Sequence, residues 1–145
     1  MENRIVSPQE SVEIRYNPRF GRFLKLFLTI NTHEKLFPKE CRTCGRKFTS
    51  LTNYLWSTVA KGHCLEDAEP VMRRPYTMSY RHCACGNTLI LTLTEEIYPS
   101  LRDLWTVLRQ EAERTGRPLN DVVSEFADQW QLFMVRRGRV SGPGE

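Results

Sequence analysis

Apolar residues recur along this chain with two different periods, and each period marks a kind of element. Phe20, Phe23, Leu24, Phe27 and Leu28 follow helical spacing after Asn17-Pro18, a pair suited to a helix start with Asn as cap and Pro in the first turn. Gly21 weakens that helix, and a strand from Phe23 to Ile30 competes with it, so residues 18–37 are expected to be helix or strand. Pro38 closes the section. Thr49 or Ser50 can cap a second helix running to about Lys61, with Leu51, Tyr54, Leu55 and Val59 as its apolar stripe and Gly62 as its stop. Residues 63–75, with Pro70 and Pro75, read as loop. The period then changes to two. Tyr76 to His82 and Thr88 to Thr94 read as strands, with Leu89, Leu91 and Leu93 alternating against Thr88, Ile90, Thr92 and Thr94. The last third returns to helical spacing: Ile97, Leu101, Leu104, Trp105, Leu108 and Ala112 on one face, ending near Gly116, then Leu119, Val122, Val123, Phe126, Ala127, Trp130, Phe133 and Met134 on the next. The short link Thr115-Gly-Arg-Pro118 folds these two into a helical hairpin. Those apolar positions are expected to form core or dimer contacts.

The pattern predicts an α+β fold. A chain of 145 residues with 40% hydrophobic and 10% aromatic positions can bury one core. We expect one zinc-binding domain over residues 1–139, made of an N-terminal section (18–37), a cysteine-bearing core (38–94) and the helical hairpin (95–139), followed by a disordered tail over 140–145. The net charge of +4 divides unevenly: +2 over residues 1–40, +4 over 41–94 and −2 over 95–145. Four thiolates with a bound Zn²⁺ would lower the middle section to about +2, so charge alone gives little support for a nucleic-acid partner. The N-terminus shows no apolar signal region, and the run Phe23 to Ile30 is too short for a bilayer, which points to a cytoplasmic protein without a membrane span.

The candidate chemistry lies in two short cysteine pairs, Cys41-Arg-Thr-Cys44-Gly and Cys83-Ala-Cys85-Gly. Each sets two thiols on one tight turn, closed by a glycine that can adopt a backbone conformation bulkier residues resist. An odd total of five cysteines does not suit a disulfide framework, whereas four thiolates from two turns can complete a tetrahedral shell for Zn²⁺. The ligand set is Cys41, Cys44, Cys83 and Cys85, with His63, Cys64 and His82 as spare candidates. Cys64 could take a place if the shorter turn cannot present both sulfurs; otherwise it reads as a small buried hydrophobe. The second pair falls between the two strands, which gives a β-hairpin carrying its ligands at the tip.

The spacing CxxCG, then thirty-eight residues counted from Gly45 to His82, then CxCG resembles that of zinc-ribbon proteins, in which two knuckles face each other across one metal. The resemblance covers residues 38–94 and implies structural zinc; this chain inserts a helix and loop between its knuckles. More locally, the strand Thr88–Thr94 followed by helices and the turn from Glu113 to Val123 resembles ribbon-helix-helix DNA-binding proteins. That resemblance would make Thr88, Ile90, Thr92 and Thr94 base-reading positions, though none is Arg, Lys, Asn or Gln. Arg73, Arg74 and Arg81 are the cations to test for DNA contact, with solvated surface as their ordinary role. A closed four-thiolate shell has no open coordination position, and no HExxH, P-loop, GxSxG or GxGxxG motif occurs, so the chain is expected not to be an enzyme. The expected function is a non-catalytic regulatory or adaptor protein that binds a protein partner or itself through amphipathic helices. DNA binding is the alternative, and an iron–sulfur or thiol redox sensor the second, since four thiolates also suit iron.

Overall fold

The computed structural model describes residues 16–141, apart from the side chains of residues 61–64 and 137–141. A 3-10 turn at Pro18–Phe20 leads into helix α1 (Gly21–Thr29). The helical alternative for this section therefore holds, and Gly21 does little harm because it stands at the first position of α1 rather than in its interior. The strands β1 (Lys39–Glu40) and β2 (Lys47–Phe48) pair antiparallel around the first cysteine turn. Helix α2 (Leu51–Ser57) follows, then strand β3 (Val59–Asp67), the short helix α3 (Glu69–Met72), strand β4 (Tyr76–His82), strand β5 (Thr88–Thr94) and the helices α4 (Leu101–Thr115) and α5 (Leu119–Ser141). The result is the α+β architecture expected from the pattern.

Three expectations need correction. Helix α2 stops at Ser57, not near Lys61, and Val59, placed on its buried stripe by the pattern, is 67% exposed as the first residue of a strand. The backbone turns extended at Thr58, whose hydroxyl donates back to the Tyr54 carbonyl, and the β-branched pair Thr58-Val59 suits the strand that pairs with β4. Residues 63–75 are accordingly not a plain loop but the end of β3 and the whole of α3. At the far end, α5 includes Val140 and Ser141, which were expected in a disordered tail; residues 142–145 lie outside those described.

The sheet runs in the order β3-β4-β5, antiparallel throughout. Its inward face carries Leu89, Leu91 and Leu93 from β5 and Thr77, Ser79 and Arg81 from β4, cross-strand partners of one another and all buried. The β4–β5 register is regular over seven pairs, Tyr76↔Thr94 through His82↔Thr88. The β3–β4 register slips between Ala60 and Leu65, where β3 bulges. Against this sheet pack the apolar faces of α4 (Leu101, Leu104, Trp105, Leu108) and α5 (Val122, Val123, Phe126, Trp130, Met134), with α1 closing the core. Phe27 of α1 stands at its centre, stacked on Trp130 at 4.7 Å and tilted against Tyr98 at 4.8 Å. Gly116, with φ +70°, ends α4 in the left-handed conformation and lets the chain reverse into α5.

The N-terminal turn is tied to the helical hairpin by one polar node. The Asn17 carboxamide oxygen accepts from the Arg19 N–H, while its amide donates to Glu111 at 2.9 Å and its backbone N–H donates to Gln129 at 2.9 Å. Glu111 is buried, and the Arg114 guanidinium, with help from Asn17 and Arg19, holds its carboxyl down at about 2 despite burial. A folded-state pKa below the unfolded value of about 4.3 stabilises the fold above that value, and the contribution is lost as pH falls toward 2. Glu111→Gln should therefore cost about 1–3 kcal/mol at pH 7. The gap between wild-type and variant denaturation midpoints should narrow as pH is lowered from 5 to 3; a gap that does not change over this range would show that the charge on Glu111 is irrelevant.

Candidate metal centre

The two cysteine turns are built on the same hydrogen-bond frame. In the first, the Cys41 carbonyl accepts from the Gly45 N–H at 2.7 Å and the Cys41 N–H donates to the Arg46 carbonyl at 2.8 Å. In the second, the Cys83 carbonyl accepts from Gly86 at 2.8 Å and the Cys83 N–H donates to Asn87 at 2.9 Å. The CxC turn is one residue shorter than the CxxC turn and closes one residue earlier. Gly45 (φ +80°) and Gly86 (φ +94°) supply the left-handed residue that both closures require. Strands β1 and β2 carry the first turn; β4 and β5 carry the second at the tip of their hairpin, as the strand pattern predicts.

These turns bring Cys41, Cys44, Cys83 and Cys85 together, with all four sulfurs within 4.8 Å of one another. Two close approaches cross between the turns: Cys41 Sγ to Cys85 Sγ at 3.7 Å and Cys44 Sγ to Cys83 Sγ at 3.6 Å. Four ligands about 2.3 Å from a tetrahedral zinc stand about 3.8 Å apart, so the spacing fits a single ion at the centre of the cluster. Cys41 and Cys83 are buried at the base, and Cys44 and Cys85 are exposed at the rim. The Asn87 amide donates to Cys41 Sγ at 3.5 Å. The Cys44 backbone N–H and Asn87 together lower the Cys41 thiol to about 6 against the effect of burial. At Cys85 the Asn87 backbone favours the thiolate, but desolvation and the neighbouring sulfurs of Cys41, Cys44 and Cys83 outweigh it and push the thiol up to about 11. Cys41 thus favours its thiolate while Cys85 beside it resists ionisation, and a cation between the sulfurs would favour the charged form.

Cys41 and Cys83 share the core with an aromatic floor. Phe48 of β2 meets Tyr54 of α2 edge-on at 5.3 Å, and Phe37 packs on the other side of Tyr54 at 6.1 Å. The Tyr54 hydroxyl is buried with no hydrogen-bond partner among the described residues, and burial raises its pKa, with Arg81 opposing and Cys83 adding to the shift.

Of the spare ligand candidates, His63 and Cys64 fall in the bulged stretch of β3, where side chains are outside the described residues. His82 sits on the outward face at the end of β4, opposite Thr88, and is not in the cluster. Of the three arginines considered for DNA contact, Arg73 and Arg74 are exposed, but Arg81 is not a surface cation. It is buried, and its guanidinium donates to the Thr58 hydroxyl at 2.6 Å, the Thr58 carbonyl at 2.9 Å and the Leu55 carbonyl at 3.3 Å, satisfying the C-terminal end of α2, and to Gln131 of α5 at 3.0 Å. The alternation Thr77, Ser79, Arg81 put it on the inward face of β4; the polarity of all three residues hid that. Thr88, Ile90, Thr92 and Thr94 do point outward, on a strand already paired with β4. Asn87 was missed as a sulfur partner, although its place directly after the CxCG turn could have suggested it.

No family model, curated protein or solved structure matches this chain. The fold and site therefore define it only as an α+β protein with a four-cysteine cluster suited to a metal ion.

The floor generates a testable contrast. Tyr54→Phe removes an unsatisfied buried hydroxyl and should leave the melting temperature unchanged or raise it. Tyr54→Ala should cost about 3–5 kcal/mol and lower metal retention with it. A substantial loss in the phenylalanine variant would mean that the hydroxyl has a partner in solution.

Proposed function

We propose that the four cysteines hold one structural Zn²⁺ and that the protein is a non-catalytic interaction module stapled by that ion. The observation that carries this reading is the cross-turn sulfur spacing of 3.6–3.7 Å, which suits zinc with all four positions filled by protein. A filled shell has no place for water or substrate, so the ion's contribution would be to stability: its binding free energy becomes part of the folding free energy. The resemblance to zinc-ribbon proteins supports the same assignment. Iron remains the competing metal, because four thiolates accept it too.

The interaction half of the reading needs a surface. The apolar faces of α4 and α5, which the pattern offered for docking, are used within the protein's own core. Binding through the sheet is better supported, since its outward face and one edge are open. DNA binding through that outward face has weaker support, because Thr88, Ile90, Thr92 and Thr94 bring no cation or amide to read bases. No helix among the described residues is long and apolar enough to cross a membrane.

Elemental analysis of protein purified without added metal or chelator should find about one zinc per chain. Cys83→Ser should lower metal content and broaden or abolish the cooperative melt, whereas Cys64→Ser should leave both intact. Iron with visible absorbance would replace zinc with a cluster, and loss of metal on Cys64→Ser alone would overturn the ligand set.

A further inference from the structure

The two edges of the sheet are treated differently. The β3 edge is bulged between Ala60 and Leu65, and α5 packs beside it. The cleft of about 510 Å³ along this side is lined by charged groups that already have partners, Asp67 with Arg109 and Glu66 with Tyr80. Bulges, charges and a covering helix are the usual protection of an edge strand. Strand β5 itself carries none of them, and the segment bearing Lys35, Leu36 and Lys39 faces it across a groove without a backbone hydrogen bond to it among the described residues. Thr88-Leu-Ile-Leu-Thr-Leu-Thr94 holds no charge, proline or glycine, keeps regular register over its whole length and leaves Ile90 45% exposed. Apart from its pairing with β4, the only backbone hydrogen bonds of β5 among the described residues are those its last carbonyl, Thr94, accepts from Ile97 and Tyr98.

A groove of about 290 Å³ runs along this edge. Ile90, Leu91 and Thr92 form one wall, and Lys35, Leu36, Lys39 and Ile97 form the other. Ile90 and Thr92 point to one face of the sheet and Leu91 to the other, so the groove follows the line of the strand itself. Its two cations differ. Lys35 is paired with Glu96 at 2.6 Å, while half-buried Lys39 makes no ion pair among the described residues and has Arg42 as its electrostatic neighbour.

We propose that the β5 edge is a docking site for an extended acidic peptide segment of a partner protein, which adds to the sheet as a fourth strand and sets a carboxylate against Lys39. Main-chain hydrogen bonds to β5 would supply affinity, and the Lys39 charge with the apolar Leu36, Ile90 and Ile97 would supply preference for alternating acidic and apolar side chains. A second copy of this chain fits less well. Antiparallel pairing of β5 with itself about Leu91 would draw Lys39 of both copies toward the same axis, like charge against like. This proposal rests on the reading of the protein as an interaction module and names the partner's chemistry; it does not depend on which metal the cysteines hold.

The test uses full-length protein and two acetylated, amidated peptides matched to the seven residues of β5, one alternating valine with aspartate and the other valine with lysine. The aspartate peptide should bind at least tenfold more tightly, and hydrogen exchange should slow at alternate amides of Thr88–Thr94. Ile90→Ser, which removes the apolar contact without adding charge, should weaken binding at least fivefold. Lys39→Glu should do the same for the aspartate peptide and reverse the preference toward the lysine peptide, a swap that a merely misfolded variant could not produce. Absence of binding at millimolar peptide, equal binding of both peptides, or protection outside β5 would overturn the proposal. So would a concentration-dependent dimer with protected β5 amides in the absence of peptide. Metal content, measured on the same samples, reports separately on the zinc assignment.

Discussion

Four sulfurs from two segments far apart in the chain must meet at one point, and much of the local architecture follows from how they do so. Cys44 and Cys83 are separated by thirty-nine positions, yet their sulfurs stand 3.6 Å apart. Holding that contact fixes the β1–β2 turn against the tip of the β4–β5 hairpin, and so positions α2 and β3, which connect them. Thiolates so close repel one another, and the neighbouring sulfurs together with desolvation push the Cys85 thiol up. Left alone, the arrangement is held by the closing hydrogen bonds of the two turns, by the burial of Cys41 and Cys83 in the core and by the Asn87 contact. With a divalent ion at the centre, repulsion becomes attraction, and the same geometry becomes a crosslink that closes a long loop.

The second constraint is the polar inward face of β4. A central strand normally buries apolar residues on its covered face, but here Thr77, Ser79 and Arg81 are buried. Trp105 donates to the Thr77 hydroxyl at 2.8 Å, and Arg81 supplies donors to the end of α2. Arg81 therefore joins three elements, β4, α2 and α5, next to the strand end that delivers Cys83. Buried guanidinium groups are costly unless their donors are used, so this node specifies the placement of α2 more strictly than an apolar contact of similar size would. It also explains why α2 ends where it does. The helix stops where Arg81 can reach its carbonyls, and Thr58 turns the chain into β3.

The legible parts of the sequence were those in which one signal acted without competition. The boundaries of β5 followed from strict alternation, those of β4 from the strand run before the CxCG turn, and Gly116 marked the reversal between α4 and α5. The four cysteines announced their meeting through two glycine-closed turns, because few other reasons place thiols so closely. What escaped was set by tertiary partners. The end of α2 depends on Arg81, whose strand pattern looked like that of a polar outward face. Strand β3 escaped because its bulge breaks the alternation between Ala60 and Leu65. The choice between helix and strand for residues 21–29 was settled by position, since Gly21 lies at the helix start and Phe23, Leu24 and Phe27 all find the core. Asn87 joined the sulfur cluster only through folding, as its partner Cys41 is forty-six positions away.

The cysteine cluster and the β5 edge proposed for docking are separate parts of one hairpin. The cysteine cluster occupies the tip of the β4–β5 hairpin, and the open edge of β5 runs away from it toward Thr94. A ligand adding along that edge would meet backbone groups already held in register by β4, so little ordering of the protein would be needed on binding. The metal staple at the tip would contribute by keeping the hairpin rigid at Thr88, where the docking strand begins. A closed metal shell beside a preformed edge is thus a coherent division of labour. Occupation of the shell would preorganise the edge without touching a ligand, and the contrast between the regular β5 edge and the bulged β3 edge would give such an interaction its direction.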